Sequence, residues 1–221
     1  MSHFTVLVIG NDPEQQLLPF DENLRTEFKD MTDEYRDQYE NKKTEAVIFS
    51  DGRKYSKHSK EMKPHWKRNS EFGISSKDEF IVPEGAELKE IPFKELYDSF
   101  EKFAEDYLGE KPFEDEGGAY GYLHNPKAKW DWYQLGGRWK NYLPLKNGTM
   151  ADEALWGDID VDKLEATFAV LKNDCWYERG EMGWWAMVSN DKDEDVWEKE
   201  FRKLIKNIAP DTPVAIYDCH I

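Results

Sequence analysis

Two cysteines, Cys175 and Cys219, are all that the 221-residue chain contains. So few exclude a disulfide framework of the kind that holds small secreted domains, and they exclude a zinc site built on cysteine alone. A reducing cytoplasm is the setting this fits. No run approaches the roughly 18 apolar residues of a membrane span. The opening MSHFTVLVIGND carries no cationic region ahead of its short apolar run, so neither a membrane segment nor a removable signal is expected. Positive charge is scarce as well: 30 Lys and Arg against 46 Asp and Glu leave a formal charge of −16. Such a surface repels nucleic acid and anionic membrane, and it suits a cationic partner or a host protein that normally grips DNA. The blander account of the charge is solubility. The spacings of a P-loop, H-E-x-x-H, C-x-x-C or Ser-His-Asp machinery are missing, as are internal repeats and flexible linkers, and no residue pattern names a cofactor.

What the chain has in abundance is aromatic residues, concentrated in Asn125 to Trp139, NPKAKWDWYQLGGRW. This run is too aromatic for an ordinary exposed loop and too polar for an ordinary core strand. Its rings offer flat faces with polar tips, and Arg138 is able to stack on a ring or bind an anion with two bonds. Gly136-Gly137 could admit backbone N–H groups to an anion, although two glycines without a third at fixed spacing are a weak phosphate signal. The alternative is a second hydrophobic core with Arg138 paired to Asp131.

Along the chain, Phe4 to Ile9 is a continuous aliphatic run closed by Gly10-Asn11-Asp12-Pro13, the pattern of a central strand buried on both faces. Leu24, Phe28, Met31, Tyr35 and Tyr39 recur at helical spacing and predict a helix over 21–40. Asp51-Gly52 between two short runs predicts a hairpin. The only basic island, residues 53–68, reads either as a phosphate-contacting loop with Trp66 as platform or as a solvated excursion. Phe93 to Leu108 predicts a second helix ended by Gly109. Asp158 to Leu164 could open a short helix. Phe168 to Leu171, Cys175 to Tyr177 and Trp184 to Val188 read as a meander of strands, followed by a helix over 196–208 and a last strand from Val214. One α+β domain over 1–221 follows, with a mostly antiparallel sheet, helices on one face, and 41–92 as an insertion. A ferredoxin-like core is the specific expectation. It makes the first and last strands antiparallel neighbours and sets His3 and His220 at one sheet edge.

Three clusters carry possible chemistry. A ligand-binding wall would comprise Trp130, Asp131, Trp132, Gln134, Arg138, Trp139, Arg179, Glu181, Trp184 and Trp185. Glu178, Glu181 and Asp131 are the carboxylates that could act as acid and base if burial separated their pKa values; the alternative is a salt-bridged turn. His3, Asp218 and His220 could meet to hold a divalent metal, or could be structural.

Four stretches, MSHFTVLVIGND, NPKAKWDWYQLGGRW, ERGEMGWW and the terminal DCHI, resemble a set of uncharacterised proteins of bacteriophages and bacteria that share these islands and differ between them. The resemblance covers both ends and the middle, implies a phage or bacterial cytoplasmic setting, and carries no activity. The first functional reading is a protein that captures a nucleotide-like or other planar anion between tryptophans, as in anti-defence sequestration. A hydrolase-type enzyme using carboxylates and a metal in the same pocket is the second. An acidic inhibitor that imitates DNA on a host protein is the third.

Overall fold

The computed structural model describes residues 2–67, 78–183, 185 and 187–221. The chain forms two compact units, one of Met1–Glu27 with Leu123–Ile221 and the other of Phe28–Tyr122. The second unit is thus larger than the 41–92 excursion marked in the sequence.

The first unit is built on a six-stranded mixed sheet. Its strands are β1 (His3–Ile9), β2 (Trp132–Leu135), β3 (Glu153–Leu155), β4 (Ala169–Lys172), β5 (Cys175–Glu178) and β6 (Pro213–His220). Across the sheet the order is β3, β6, β1, β4, β5, and β2 joins β6 beyond β3, opposite residues 217–220. β1 runs antiparallel to β6 over seven pairs, with His3 opposite His220 and Ile9 opposite Val214. The expected proximity of the two termini therefore holds. β1 and β4, however, are direct parallel neighbours, Val6 opposite Ala169. A ferredoxin-like sheet would split two such strands with an antiparallel one, so that arrangement is not the one formed.

Alternation along the strands sorts two cores. Leu7, Ile9, Val170, Val214 and Ile216 face one side and pack with Trp197, Phe201 and Ile205 of the helix Glu194–Leu204 and its end. Phe4, Val6, Val8, Leu171, Tyr217 and Cys219 face the other and pack with Leu17, Phe20 and Trp130. Each fully buried Val, Leu, Ile or Phe contributes roughly 1.5–3 kcal/mol, and β1, β4 and β6 are buried on both faces.

The second unit holds a three-stranded antiparallel sheet of Lys43–Phe49, Lys54–Ser56 and Ala86–Pro92, with Asp51-Gly52 at the hairpin as expected, Gly52 having φ 90°. Phe93, Phe100, Phe103 and Tyr120 form its aromatic cluster.

Several expected elements differ. The helix over 21–40 begins only at Thr32 and ends at Asn41. Glu22 N–H donates to the Trp130 carbonyl and Asn23 N–H to the Asp21 carboxylate, so tertiary and turn bonds take the donors a helix would need. The helix over 93–108 breaks at Tyr97, which is extended, and restarts where Ser99 Oγ accepts from Lys102 N–H. Its end at Gly109 holds, with φ 76°. The short helix that 158–164 could open is not formed: Asp158 ends the 3-10 turn Trp156–Asp158 and 161–163 are a turn. Of the expected strand at 184–188, Val188 pairs with Met182 in the ladder of Glu181–Met182 with Val188–Ser189, Trp185 has φ 64°, and Ala186 lies outside the described residues. Trp184 lies outside the described residues, as does Arg68 of the basic island. Within that island Trp66 stacks on His58 at 5.3 Å and donates to the Lys57 carbonyl. Its face and its N–H are occupied locally, which favours the solvated excursion.

Cys219 sits wholly inside the second core, and burial, then the Asp218 charge beside it, push its thiol well above the ordinary range. Cys175 is exposed. A disulfide-exchange reagent should therefore titrate one thiol in the native protein and two after denaturation. Rapid modification of both in the native state would contradict this packing.

Candidate functional site

At one end of the sheet the row of residues on the helix-covered face turns polar. Leu7 and Ile9 give way to Thr5 and His3 on β1, and Val214 and Ile216 to Asp218 and His220 on β6. Because the side-chain period of a strand is two, all four polar residues point the same way as the apolar ones before them. Trp132 and Gln134 of β2 stand opposite His220 and Asp218 in register. Asp218 is 2% exposed and His220 7%.

Two histidine–carboxylate pairs result. His3 Nδ1 lies 2.8 Å from Asp218 Oδ1, and His220 Nδ1 lies 2.5 Å from Asp131 Oδ1. A carboxylate only accepts, so each ring carries its hydrogen on Nδ1 and, when neutral, a lone pair on Nε2. The rings meet edge to face with centroids 4.9 Å apart. His220 Nε2 is buried and has no hydrogen-bond partner among the described residues. An orphaned buried nitrogen costs about 1–3 kcal/mol and calls for an explanation. His3 and Asp131 keep part of their side chains open to solvent.

Backbone groups hold the carboxylates. Gly136 and Gly137, with φ 66° and 51°, lead into a short 3-10 turn from which Arg138 N–H donates to Asp218 Oδ2 at 2.9 Å. A Cβ on Gly137 would collide with the Asp218 side chain, and one on Gly136 would come within 2.7 Å of the Asp152 carboxyl. The glycine pair thus does bring a backbone N–H to an anion, and the anion is the protein's own. Asp131 is fixed by its N–H bond to the His220 carbonyl, at 2.8 Å, and by the pinning of the preceding segment. Asn125 Nδ2 donates to the carbonyls of Pro19 and Asp21, and Trp130 Nε1 to that of Leu17. The same bracing brings Asp21 and Glu22 near. The Glu22 carboxyl is raised by burial, then by Asp131 and Asp21, with His220 opposing.

The residues proposed as one binding wall are not gathered into one cavity. Trp130 is 5% exposed in the second core, edge-on to Tyr133. Trp132, 50% exposed, is on the polar face, Trp139 packs against the first core, and Trp185 is 80% exposed. The Arg138 side chain is exposed and makes no ion pair among the described residues; it does not pair with Asp131, whose partner is His220. Arg179 grips Asp191 with two bonds. Glu178 has both oxygens taken, by Lys129 at 2.5 Å and Trp176 Nε1 at 2.8 Å, and Glu181 accepts from Ser189. Glu178 and Glu181 line a cavity of about 170 Å³ with Phe4 and Met182 on the second-core side. A larger cavity of about 640 Å³ lies between residues 162–168 and the helix Glu194–Leu204. Neither includes Trp130, Trp132 or Arg138. Of the carboxylates named as acid–base candidates, only Asp131 joins the histidines. His3, Asp218 and His220 do come together, but Asp218 is spent on His3 and Arg138 N–H, and the described residues contain no group of three side chains able to hold a metal. Asp21, Glu22 and Asn125 escaped the sequence reading, since nothing in their spacing ties them to residues a hundred positions away.

No protein family, curated protein or solved structure matches the chain. Of the stretches MSHFTVLVIGND, NPKAKWDWYQLGGRW, ERGEMGWW and DCHI, three supply the two histidine pairs, and ERGEMGWW adjoins them where Ser2 Oγ donates to the Gly183 carbonyl.

Replacing Gly137 by Ala should lower stability by about 2–4 kcal/mol through overpacking on Asp218 and positive φ. Arg138→Ala, which leaves the N–H in place, should change it by no more than about 0.5 kcal/mol. Urea unfolding measures both, and equal effects would refute the backbone role given to this turn.

Proposed function

We propose that the protein is a hydrolase-type enzyme acting on a small molecule, with its chemistry centred on His3 and His220. The observation that carries this reading is the buried, unpartnered Nε2 of His220 on a ring whose Nδ1 is anchored by Asp131. A ring needed only for packing gains nothing from this arrangement, whereas a carboxylate that fixes the tautomer and stabilises the protonated ring is what a proton acceptor needs. His3 with Asp218 repeats the arrangement beside it, so one ring is available to take a proton while the other gives one.

The surroundings favour a neutral or cationic substrate. Asp131, Asp21 and Glu22 are close together, and the two arginines once suited to an anion are elsewhere, Arg138 in solvent and Arg179 on Asp191. Trp132, half open and in register with His220, supplies a flat flank for the body of the substrate. Capture of a planar anion loses its cations on this geometry. A phage or bacterial setting remains part of the proposal, resting on the four shared stretches alone.

Hydrolysis of chromogenic esters, amides and phosphoesters under multiple-turnover conditions tests the reading. Product should exceed one equivalent of protein for at least one class, and His220→Gln or His3→Gln should reduce kcat by about 100-fold or more with the fold retained by circular dichroism. Arg138→Ala should match the wild type. Quenching of tryptophan fluorescence by the same compounds with none of them turned over would return the protein to simple binding.

A further inference from the structure

We propose that His3 and His220 together hold one divalent transition-metal ion, zinc or a zinc-like ion, through their Nε2 atoms, with Asp218 and Asp131 behind them as orienting carboxylates. This deepens the preceding reading and rests on it only for where the chemistry lies: with an ion bound, both Nε2 lone pairs would be ligands, so the rings would hold the ion and would no longer exchange protons themselves.

Four observations converge. Metal-ligating histidines characteristically donate their other ring N–H to a carboxylate, which fixes the tautomer and strengthens the ligand. Both rings do so, at 2.8 and 2.5 Å. Two imidazoles bound to one tetrahedral ion at the usual zinc–nitrogen distance have centroids about 5 Å apart. The rings of His3 and His220 are 4.9 Å apart. The unpartnered Nε2 of His220, on a side chain more than nine-tenths buried, needs a partner that the described residues do not supply. Lastly, Asp218 and Asp131 have no Lys or Arg side chain as partner among the described residues, and Asp21 and Glu22 are held beside Asp131 through Asn23 and the Trp130 carbonyl, so carboxylate charge gathers at this end. A divalent cation relieves it.

The ligand set also says what kind of site this is. Asp218 and Asp131 stand behind the rings, and no third side chain among the described residues joins them, so water or substrate completes the coordination. Open positions of this sort belong to metals that activate water or polarise a substrate, and imidazole donors select zinc, nickel, copper or cobalt over magnesium and calcium. With two protein ligands the affinity should be lower than that of a closed structural zinc site.

Isothermal titration of the EDTA-treated full-length protein with zinc chloride should give one equivalent. His3→Gln or His220→Gln should weaken binding by about 100-fold or more, and Asp131→Asn by about 10- to 100-fold. His58→Gln and His65→Gln, in the second unit, should bind as the wild type does. Should the site variants unfold, imidazole nitrogen NMR of the wild type decides: zinc should shift the Nε2 resonances of His3 and His220 and leave those of His58 and His65 in place. Zinc binding that survives in both site variants, or the absence of both heat and shift, overturns the proposal. One equivalent of zinc without turnover of any substrate upholds the metal and removes the enzyme. Turnover unaffected by EDTA, with no zinc bound, overturns the metal and leaves the enzyme.

Discussion

The registered pairing of β1 with β6 is the constraint on which the rest of the first unit depends. These strands come from the two ends of the chain, yet they pair over their whole length with both faces buried. A slip of one residue would exchange every side chain between the two cores, so the register is held by all the apolar contacts at once. The same row that presents Leu7, Ile9, Val214 and Ile216 to the helix presents His3, Thr5, Asp218 and His220 at its end. The histidines are thus positioned with the stiffness of the core and not of a loop, although each stands within two residues of a terminus.

Charge inside this end is managed by backbone rather than by cations. Asp218 receives Arg138 N–H and His3; Asp131 receives His220; among the described residues neither has a Lys or Arg side chain as partner. A lysine or arginine partner would neutralise a carboxylate permanently, whereas an N–H and an imidazole leave the carboxylate able to stabilise a proton or an ion on the ring behind which it stands. The glycine pair exists for the close approach this requires, and the bracing by Asn125 and Trp130 serves to bring Asp131 to the sheet edge from outside the paired strands.

Much of this framework was legible in the sequence because it follows from local periodicity. The run Phe4 to Ile9, the Asp51-Gly52 turn, Gly109 as a helix end, the helix before Pro210 and the terminal strand all announce themselves by spacing and turn chemistry. The meeting of His3 and His220 was reached through a ferredoxin-like topology, of which only the antiparallel pairing of the first and last strands is formed. The failures share one physical origin, which is competition from distant or turn hydrogen bonds. Residues 21–31 have a helical pattern, but the Trp130 carbonyl and the Asp21 carboxylate take the N–H groups of Glu22 and Asn23, and those of Thr26 and Met31 go to the carbonyls of His124 and Tyr120. Ser99 restarts a helix that apolar spacing makes continuous. The partners of Asp218 and Asp131 were hidden for the same reason, since which donor a carboxylate meets is decided by tertiary placement and rotamer.

The aromatic stretch shows how composition misleads when a strand has two unlike faces. Trp130, Asp131, Trp132 and Tyr133 are adjacent in sequence, and clustering makes them look like one wall. In β2 successive side chains point to opposite sides, so Tyr133, joined by Trp130 just before the strand, goes to the second core while Trp132 and Gln134 go to the polar face. Asp131, just before the strand, turns to His220. The richness of the stretch is therefore the sum of two demands: large apolar surface to seal one side of the sheet, and polar-tipped groups to finish the other. That division is why truncating one of these tryptophans tests packing and truncating its neighbour tests the site, and why the stretch as a whole has no single role.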